Sequence, residues 1–242
     1  MNNINDVYDF VYSWVDLVIN NPLNVGNVTF TKNSEFIVGN NFVTNGLIAN
    51  NYLRIAENQW YKIKDVVSET SIELYDKYRG ITNTTTGFYS TVGYDITRGS
   101  QGYSSTKPEI ILHYPPIANR RIGNVVNKKY RYVPAVIAPP TAERWTREYS
   151  NNYEIVLTIE QIGGDYVLNK LSDTELDDNI IDLFRTNIIT LKNIFDASSN
   201  IMNLNNEFET SLRVDVTLRY VINKIEDVGT IESVDYSGTI TR

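Results

Sequence analysis

The stretch LRVDVTLRYVI, residues 212–222, decides the fold of this chain. Its apolar and polar residues alternate strictly, which places the two sets on opposite sides of an extended backbone. Alternation of this length predicts a β-strand buried on one face. A polar link at 223–229 and a second extended run at 230–240 follow, so we predict an antiparallel pair with a bulge near Glu232 and Ser233.

The composition is that of a folded protein. With 242 residues, 42% of them hydrophobic and 21% charged, the chain can bury a core. A net charge of −7 argues against a protein whose main task is binding nucleic-acid phosphates. The absence of cysteine excludes disulfides and thiolate catalysis. Without a secretion signal or an apolar run of roughly 20 residues, we expect a soluble protein made in a cytoplasm.

Two helices are predicted on either side of the central region. The first covers about 4–19, because apolar residues recur there at steps of three and four and Pro22 ends the pattern. The second should follow the capping box Ser172-Asp173-Thr174-Glu175. Its inward residues would be Leu176, Ile180, Leu183 or Phe184, Ile188, Leu191 and Phe195.

Between these helices the pattern is weaker. Short extended runs at 28–31 and 35–38 predict hairpin arms, and 63–78 has the composition of a possible helix. Residues 80–106 are rich in Gly, Thr, Ser and Tyr and predict a long exposed loop. Further strands are predicted at 109–114, at 132–137 as an edge strand because of Pro134, and at 153–162.

These elements predict an α+β fold, an antiparallel or mixed sheet with helices packed on one face and a long inserted loop and hairpin region. The domain organisation would be an N-terminal core helix at 1–24, the inserted region at 25–106, and the main sheet domain at 107–242.

Several segments resemble the neck or tail terminator (tail completion) proteins of tailed bacteriophages. They are 4–19, 107–112, 153–165, 207–220 and 227–234, so the resemblance covers the first helix and everything after Lys107. The resemblance implies a virion protein of the tail or neck, assembled in the host cytoplasm. Because the sequence offers few reactive groups, we expect this protein to be non-enzymatic and to need no cofactor or metal. The resemblance also implies a homo-oligomeric ring of about six copies that caps the tail tube and contacts the head connector. DNA would pass through the ring without specific binding, and no membrane is involved.

Two groups of residues are candidate inter-subunit contacts. The basic cluster could contact an acidic neighbouring subunit, or be a solvated loop, with DNA contact a third alternative; it comprises Arg120, Arg121, Lys128, Lys129 and Arg131. The second group, Arg144, Trp145 and Arg147 with Tyr149 beside them, combines the residue types that dominate interfaces. Tryptophan also anchors cores, so the two interpretations stay open for this group.

The tyrosines of the predicted loop, Tyr89, Tyr94 and Tyr103, suggest a further contact surface. Tyrosine in a Gly- and Ser-rich loop gives contact area at low entropic cost. Tyr94 and Tyr103 are therefore candidate contacts with a neighbouring subunit. The alternative function is a binding module that recognises a glycan or a protein through this loop.

Candidates for chemistry are few. His113 lies in a predicted strand with no second imidazole near it in the sequence, so a structural role is expected. The acidic residues at 173–178 lie at the start of a predicted helix, where the positive end of the helix dipole stabilises carboxylates. The glycines of 93–102 lack the strand and the Lys-Ser/Thr pair of a phosphate loop. A hydrolase or transferase is thus the least favoured function.

Overall fold

The computed structural model describes residues 4–55, 59–99, 109–114, 120–134, 136–137, 140–141, 144–163, 167–195, 198–204 and 207–229. It begins with helix α1, Ile4–Asn20, which confirms the first predicted helix. The apolar stripe of α1 is buried, and its members are Val7, Phe10, Val11, Trp14, Val15 and Ile19. Asn21 ends the helix in a left-handed conformation with φ 43°, which asparagine tolerates better than most residues.

The next six strands form a closed antiparallel barrel. They are β1 (Leu23–Phe30), β2 (Phe36–Val38), β3 (Tyr52–Ile55), β4 (Tyr61–Ser68), β5 (Ser71–Leu74) and β6 (Asn83–Ser90). Around the barrel the order is β1-β2-β5-β4-β3-β6. Its interior is filled by a separate hydrophobic cluster: Val25, Val28, Phe30, Ile37, Phe42, Leu47, Leu53, Ile55, Ile63, Ile72, Leu74 and Tyr78. The first residue of β1, Leu23, lies opposite Tyr89 of β6, so the barrel begins and ends at neighbouring positions.

The predicted fold class is therefore wrong. The protein is predominantly β, with a closed barrel and a second sheet, rather than a single sheet covered by helices. The segment 63–78, proposed as a helix, forms β4 and β5, and the predicted exposed loop at 80–106 contains β6 and a further strand at 95–98. Residues 80–106 were predicted as a loop because the threonine-rich sequence of β6 shows no alternation of apolar and polar residues.

The second sheet contains most of the remaining strands. They are β7 (Asp95–Arg98), β8 (Glu109–His113), β9 (Arg120–Val133), β12 (Arg144–Ile162), β13 (Ile189–Ile194), β14 (Ser198–Leu204) and β15 (Glu207–Gly229), while β10 (Val136–Ile137) and β11 (Pro140–Thr141) form a small ladder of their own. The sheet order is β13-β15-β12-β8-β7, with β14 beside β15 and β9 beside β12. Strand β7 is parallel to β8, and the other pairings are antiparallel.

The spine of this sheet is the long pair β12 and β15. Their register runs without interruption from Thr146 opposite Asp227 to Ile162 opposite Ser211. At about 3.3 Å per residue the paired stretch is on the order of 55 Å long. Residues 212–222 and 153–162 are strands, as predicted, but residues 223–229 continue the strand instead of turning. The partner of 212–222 is thus β12; the predicted second run at 230–240 and its bulge lie outside the described residues.

One face of the sheet packs on α1 and two further helical segments. A 3₁₀ segment, Leu168–Leu176, leads into helix α2, Asp178–Thr186. Phe184 of α2 lies edge-on to Phe10 and Trp14 of α1, with ring centroids 4.9 and 5.4 Å apart. The core includes α1, the helical segments and the inward residues of β8, β12 and β15.

The second helix is shorter than predicted. Its N-cap is Asp177, whose carboxylate accepts from the Asn179 backbone, so Ser172 does not begin this helix. Ile180 and Phe184 face the core as expected, whereas Ile188 and Phe195 are exposed because the chain leaves the helix and becomes β13.

A buried polar cluster joins the barrel to α1. Arg54 of β3 donates two hydrogen bonds to the carboxylate of Asp16, at 2.5 and 3.1 Å, and both residues are nearly fully buried. The Arg54 guanidinium also stacks 4.3 Å from the Trp60 ring. Asn20 donates to Asp16 and exchanges hydrogen bonds with the Tyr94 backbone. These contacts fix the barrel against the helix by directional bonds.

A candidate assembly arm

Three strands continue beyond the hydrophobic core of the second sheet. The core includes Tyr153 at its border on β12 and Ile222 on β15, and none of the β9 side chains that the structure describes. Strand β9 pairs with the part of β12 that precedes the core, from Arg144 opposite Val133 to Glu154 opposite Arg120. We call residues 120–133, 144–152 and 223–229 the arm.

Eight of the ten predicted contact residues lie on this arm. On β9 they are the basic residues Arg120, Arg121, Lys128, Lys129 and Arg131, and on β12 they are Arg144, Trp145 and Arg147. The two groups are more than ten residues apart in the sequence and become neighbours through the register of β9 and β12. Tyr94 instead is 5% exposed within the core, so its predicted role as a surface contact is wrong, and Tyr103 lies outside the described residues.

Strand β9 is an edge strand in the described part of the sheet. One side pairs with β12, and no described strand pairs with the other side. Its sequence, RRIGNVVNKKYRYV, has five basic residues and no acidic residue. Charged side chains on an edge oppose indiscriminate strand pairing, because like charges of two such edges repel each other. The same charges attract a partner surface of opposite sign.

The face of the arm that continues the core face is held by a polar ladder. The Arg147 guanidinium pairs with the carboxylate of Glu226 on β15, and the Tyr149 hydroxyl donates to the same carboxylate. These two donors lower the pKa of Glu226, the Tyr149 hydrogen bond having the larger effect. The same hydrogen bond raises the pKa of Tyr149. The ladder joins β12 to β15 beyond Tyr153 and Ile222, the border of the hydrophobic core among the described residues.

This ladder predicts a dependence of arm stability on pH. Because the pKa of Glu226 is lower in the folded arm than in an unfolded chain, its contribution is present above the usual glutamate pKa of about 4.3 and is lost as the pH falls through the lowered value. We expect Glu226→Gln to lower the melting temperature more at pH 7 than at pH 3, where the carboxylate contribution has begun to be lost. Thermal melts at both pH values check this, and an equal difference at both would contradict it.

The opposite face of the arm, which we call the open face, carries several exposed side chains. Lys129 and Arg131 are exposed there, and the register places Ile225 on the same face, opposite Glu148, which in turn lies opposite Lys129. The Ile225 side chain is 69% exposed. An isoleucine exposed to this degree on the same face as two basic residues is the kind of feature that interfaces cover. Ile225 was missed in the sequence because residues 223–229 were interpreted as a turn.

The structure places His113 and Tyr89 in contacts within the subunit. The His113 Nε2 atom lies 2.8 Å from the Glu160 carboxylate, across the β8 and β12 pair. No group of three or more His, Asp and Glu residues with the arrangement of a metal site occurs in the described part of the chain. Tyr89 is part-buried and donates to the Asn45 carbonyl at 2.8 Å, which ties it to the barrel.

The comparisons with known proteins add no relative. No protein-family model matches this sequence. A search of curated proteins finds no match either. Among the described residues, no helix has both the length and the apolar character needed to span a bilayer.

Proposed function

We propose that this chain is a structural, non-enzymatic subunit that assembles with copies of itself through the arm. The observation that carries the proposal is the arm itself, a three-stranded extension with a basic edge and an exposed Ile225. The resemblance described above favours a neck or tail terminator ring of a tailed phage as the assembly. In that role the ring would cap the tail tube and join it to the head connector.

The charge distribution supports an asymmetric contact between copies. The arm strand β9 is strongly basic although the whole chain has a net charge of −7, so the rest of the protein is acidic. Two arms repel each other, whereas an arm and the body of another copy attract each other. Such a head-to-tail contact repeats around a closed ring when the rotation per subunit divides a full turn.

A charge reversal on the arm tests this proposal. We expect Lys129→Glu with Arg131→Glu to leave the subunit folded and to weaken self-association about tenfold or more, since close interfacial charge pairs contribute 1.4 kcal/mol or more. A new Glu opposite Glu148 costs the strand pair roughly 0.2–1 kcal/mol, which circular dichroism melts would detect. Sedimentation velocity measures the association, and negative-stain microscopy shows whether rings form.

The matched control reverses two exposed lysines on the barrel. Lys32→Glu with Lys77→Glu changes the net charge by the same amount and leaves the arm intact. Association that is equally weak in both variants would mean that only net charge matters. A wild-type protein that stays monomeric at high concentration and does not bind tail tubes would refute the proposal.

The alternative function, recognition of a glycan or protein through a tyrosine-rich loop, has less support. Tyr94 is buried and Tyr89 is hydrogen bonded to the barrel, so two of the three tyrosines do not form one exposed loop surface. Binding to a glycan array by the wild-type protein, lost on deletion of 99–105, would restore that alternative.

A further inference from the structure

We infer that the arm of one copy docks in a groove between α1 and the second helical region of another copy. This inference rests on the proposed function, because it identifies the acceptor surface of the same assembly. The groove has a volume of about 490 Å³ and lies between the C-terminal part of α1, the 3₁₀ segment and the start of α2; its lining includes Leu17, Val18, Asp173, Asp177 and Ile180.

The groove has an apolar floor and an acidic rim. Leu17 and Val18 are half-buried and Ile180 is 4% exposed, so apolar atoms form the floor. Asp173 and Asp177 on the rim are exposed. Lys170 also lines the groove, but the whole segment 168–186 has five acidic residues and two basic ones.

The open face of the arm has the complementary arrangement. Ile225 supplies an exposed apolar side chain, and Lys129 and Arg131 supply two positive charges on the same face. An isoleucine that enters the apolar floor would bring both cations to the acidic rim. Partly desolvated charge pairs around an apolar contact give both affinity and a defined register. Glu148, between Lys129 and Ile225, would face Lys170 in one such register.

The occupant is a second copy rather than the subunit's own arm. Within one subunit the described arm strands leave the core at Tyr153 and Ile222, and β9 packs mainly on β12. No described residue of the arm lines the groove, so the two surfaces are separate on each subunit, which is the requirement for a heterologous contact that propagates from copy to copy. In the inferred assembly, each subunit therefore uses its arm for one neighbour and its groove for the other.

A charge-exchange experiment tests the pairing. We expect Asp173→Lys to weaken association about fivefold, and the arm variant Lys129→Glu with Arg131→Glu to weaken it about tenfold. The chain with all three substitutions should associate at least about threefold more tightly than the arm variant, because opposite charges face each other again. Asp65→Lys, an exposed substitution of the same charge on the barrel, is the control and should not rescue the arm variant.

Two further measurements test the inference by means other than the effects of charge substitutions. Ile225→Ser should weaken association, whereas Ile48→Ser, at a barrel position 63% exposed, should not. A zero-length carbodiimide should link Lys129 to Asp173 or Asp177 between ¹⁵N-labelled and unlabelled copies. If the protein assembles but the triple variant is no tighter than the arm variant and no such link forms, the groove is not the acceptor and the proposed function stands. If no assembly forms at all, both fail.

Discussion

Val216→Asp should prevent the second sheet from folding. Val216 is fully buried at the centre of β15, opposite Leu157 of β12 and Ile194 of β13. A carboxylate at this position has no partner in an apolar core, and burying it costs several kcal/mol. That cost is comparable with the total stability of a typical domain, about 5–15 kcal/mol. We expect insoluble protein, or soluble protein without a cooperative thermal transition by circular dichroism.

The control for this substitution lies on the other face of the same sheet. Val156 of β12 is 48% exposed, on the face that α1 does not cover. Val156→Asp should therefore change the free energy of unfolding by only about 0.5 kcal/mol. A Val216→Asp protein that melts like the wild type would show that residues 212–222 are not the core strand described above.

Arg54→Ala should have the second largest effect. The substitution removes both hydrogen bonds from Asp16 and leaves its carboxylate buried beside Asn20. Breaking a buried ion pair from one side costs about 3–5 kcal/mol, because the remaining charge is desolvated without compensation. Urea denaturation would measure this loss. Arg185→Ala is the control, since Arg185 and Asp182 form an exposed pair and such pairs contribute about 0–1 kcal/mol.

A double substitution distinguishes two effects: the loss of the attraction between Arg54 and Asp16, and the cost of leaving one buried charge without a partner. Asp16→Leu with Arg54→Met removes both charges and keeps most of the volume, so it should cost less than Arg54→Ala alone. A double variant that is less stable than the single one would show that the ion pair itself, and not the avoided buried charge, holds the barrel to α1.

The elements with a strong local pattern were predictable from the sequence. Helix α1 and strand residues 212–222 each repeat one apolar spacing over many residues, so local sequence determines them. The barrel has no such pattern, because its strands are short and its closure depends on distant pairs such as Leu23 with Tyr89. Gly87 shows the same dependence: a Cβ there would lie 2.5 Å from Val28, a contact that only the folded barrel creates.

The candidate site was predictable in its residue types but not in its geometry. The basic residues near 120–131 and the Arg and Trp residues near 144–147 stand out by composition. The register of β9 and β12 brings these two groups together in one arm. Ile225 lies on the same arm because β15 continues through 223–229. The sequence held one usable signal for this continuation, the absence of Pro and Gly between Leu212 and Val228.

The neighbouring ends of the barrel have a consequence for how the barrel is joined to the rest of the chain. Leu23 and Tyr89 are paired positions, where Cα atoms of antiparallel strands lie about 5 Å apart. A gene segment coding for the barrel could thus be gained, lost or exchanged with only a short peptide left to bridge the gap. Because the two ends lie so close, the rest of the fold does not need the barrel to span a distance between α1 and β7.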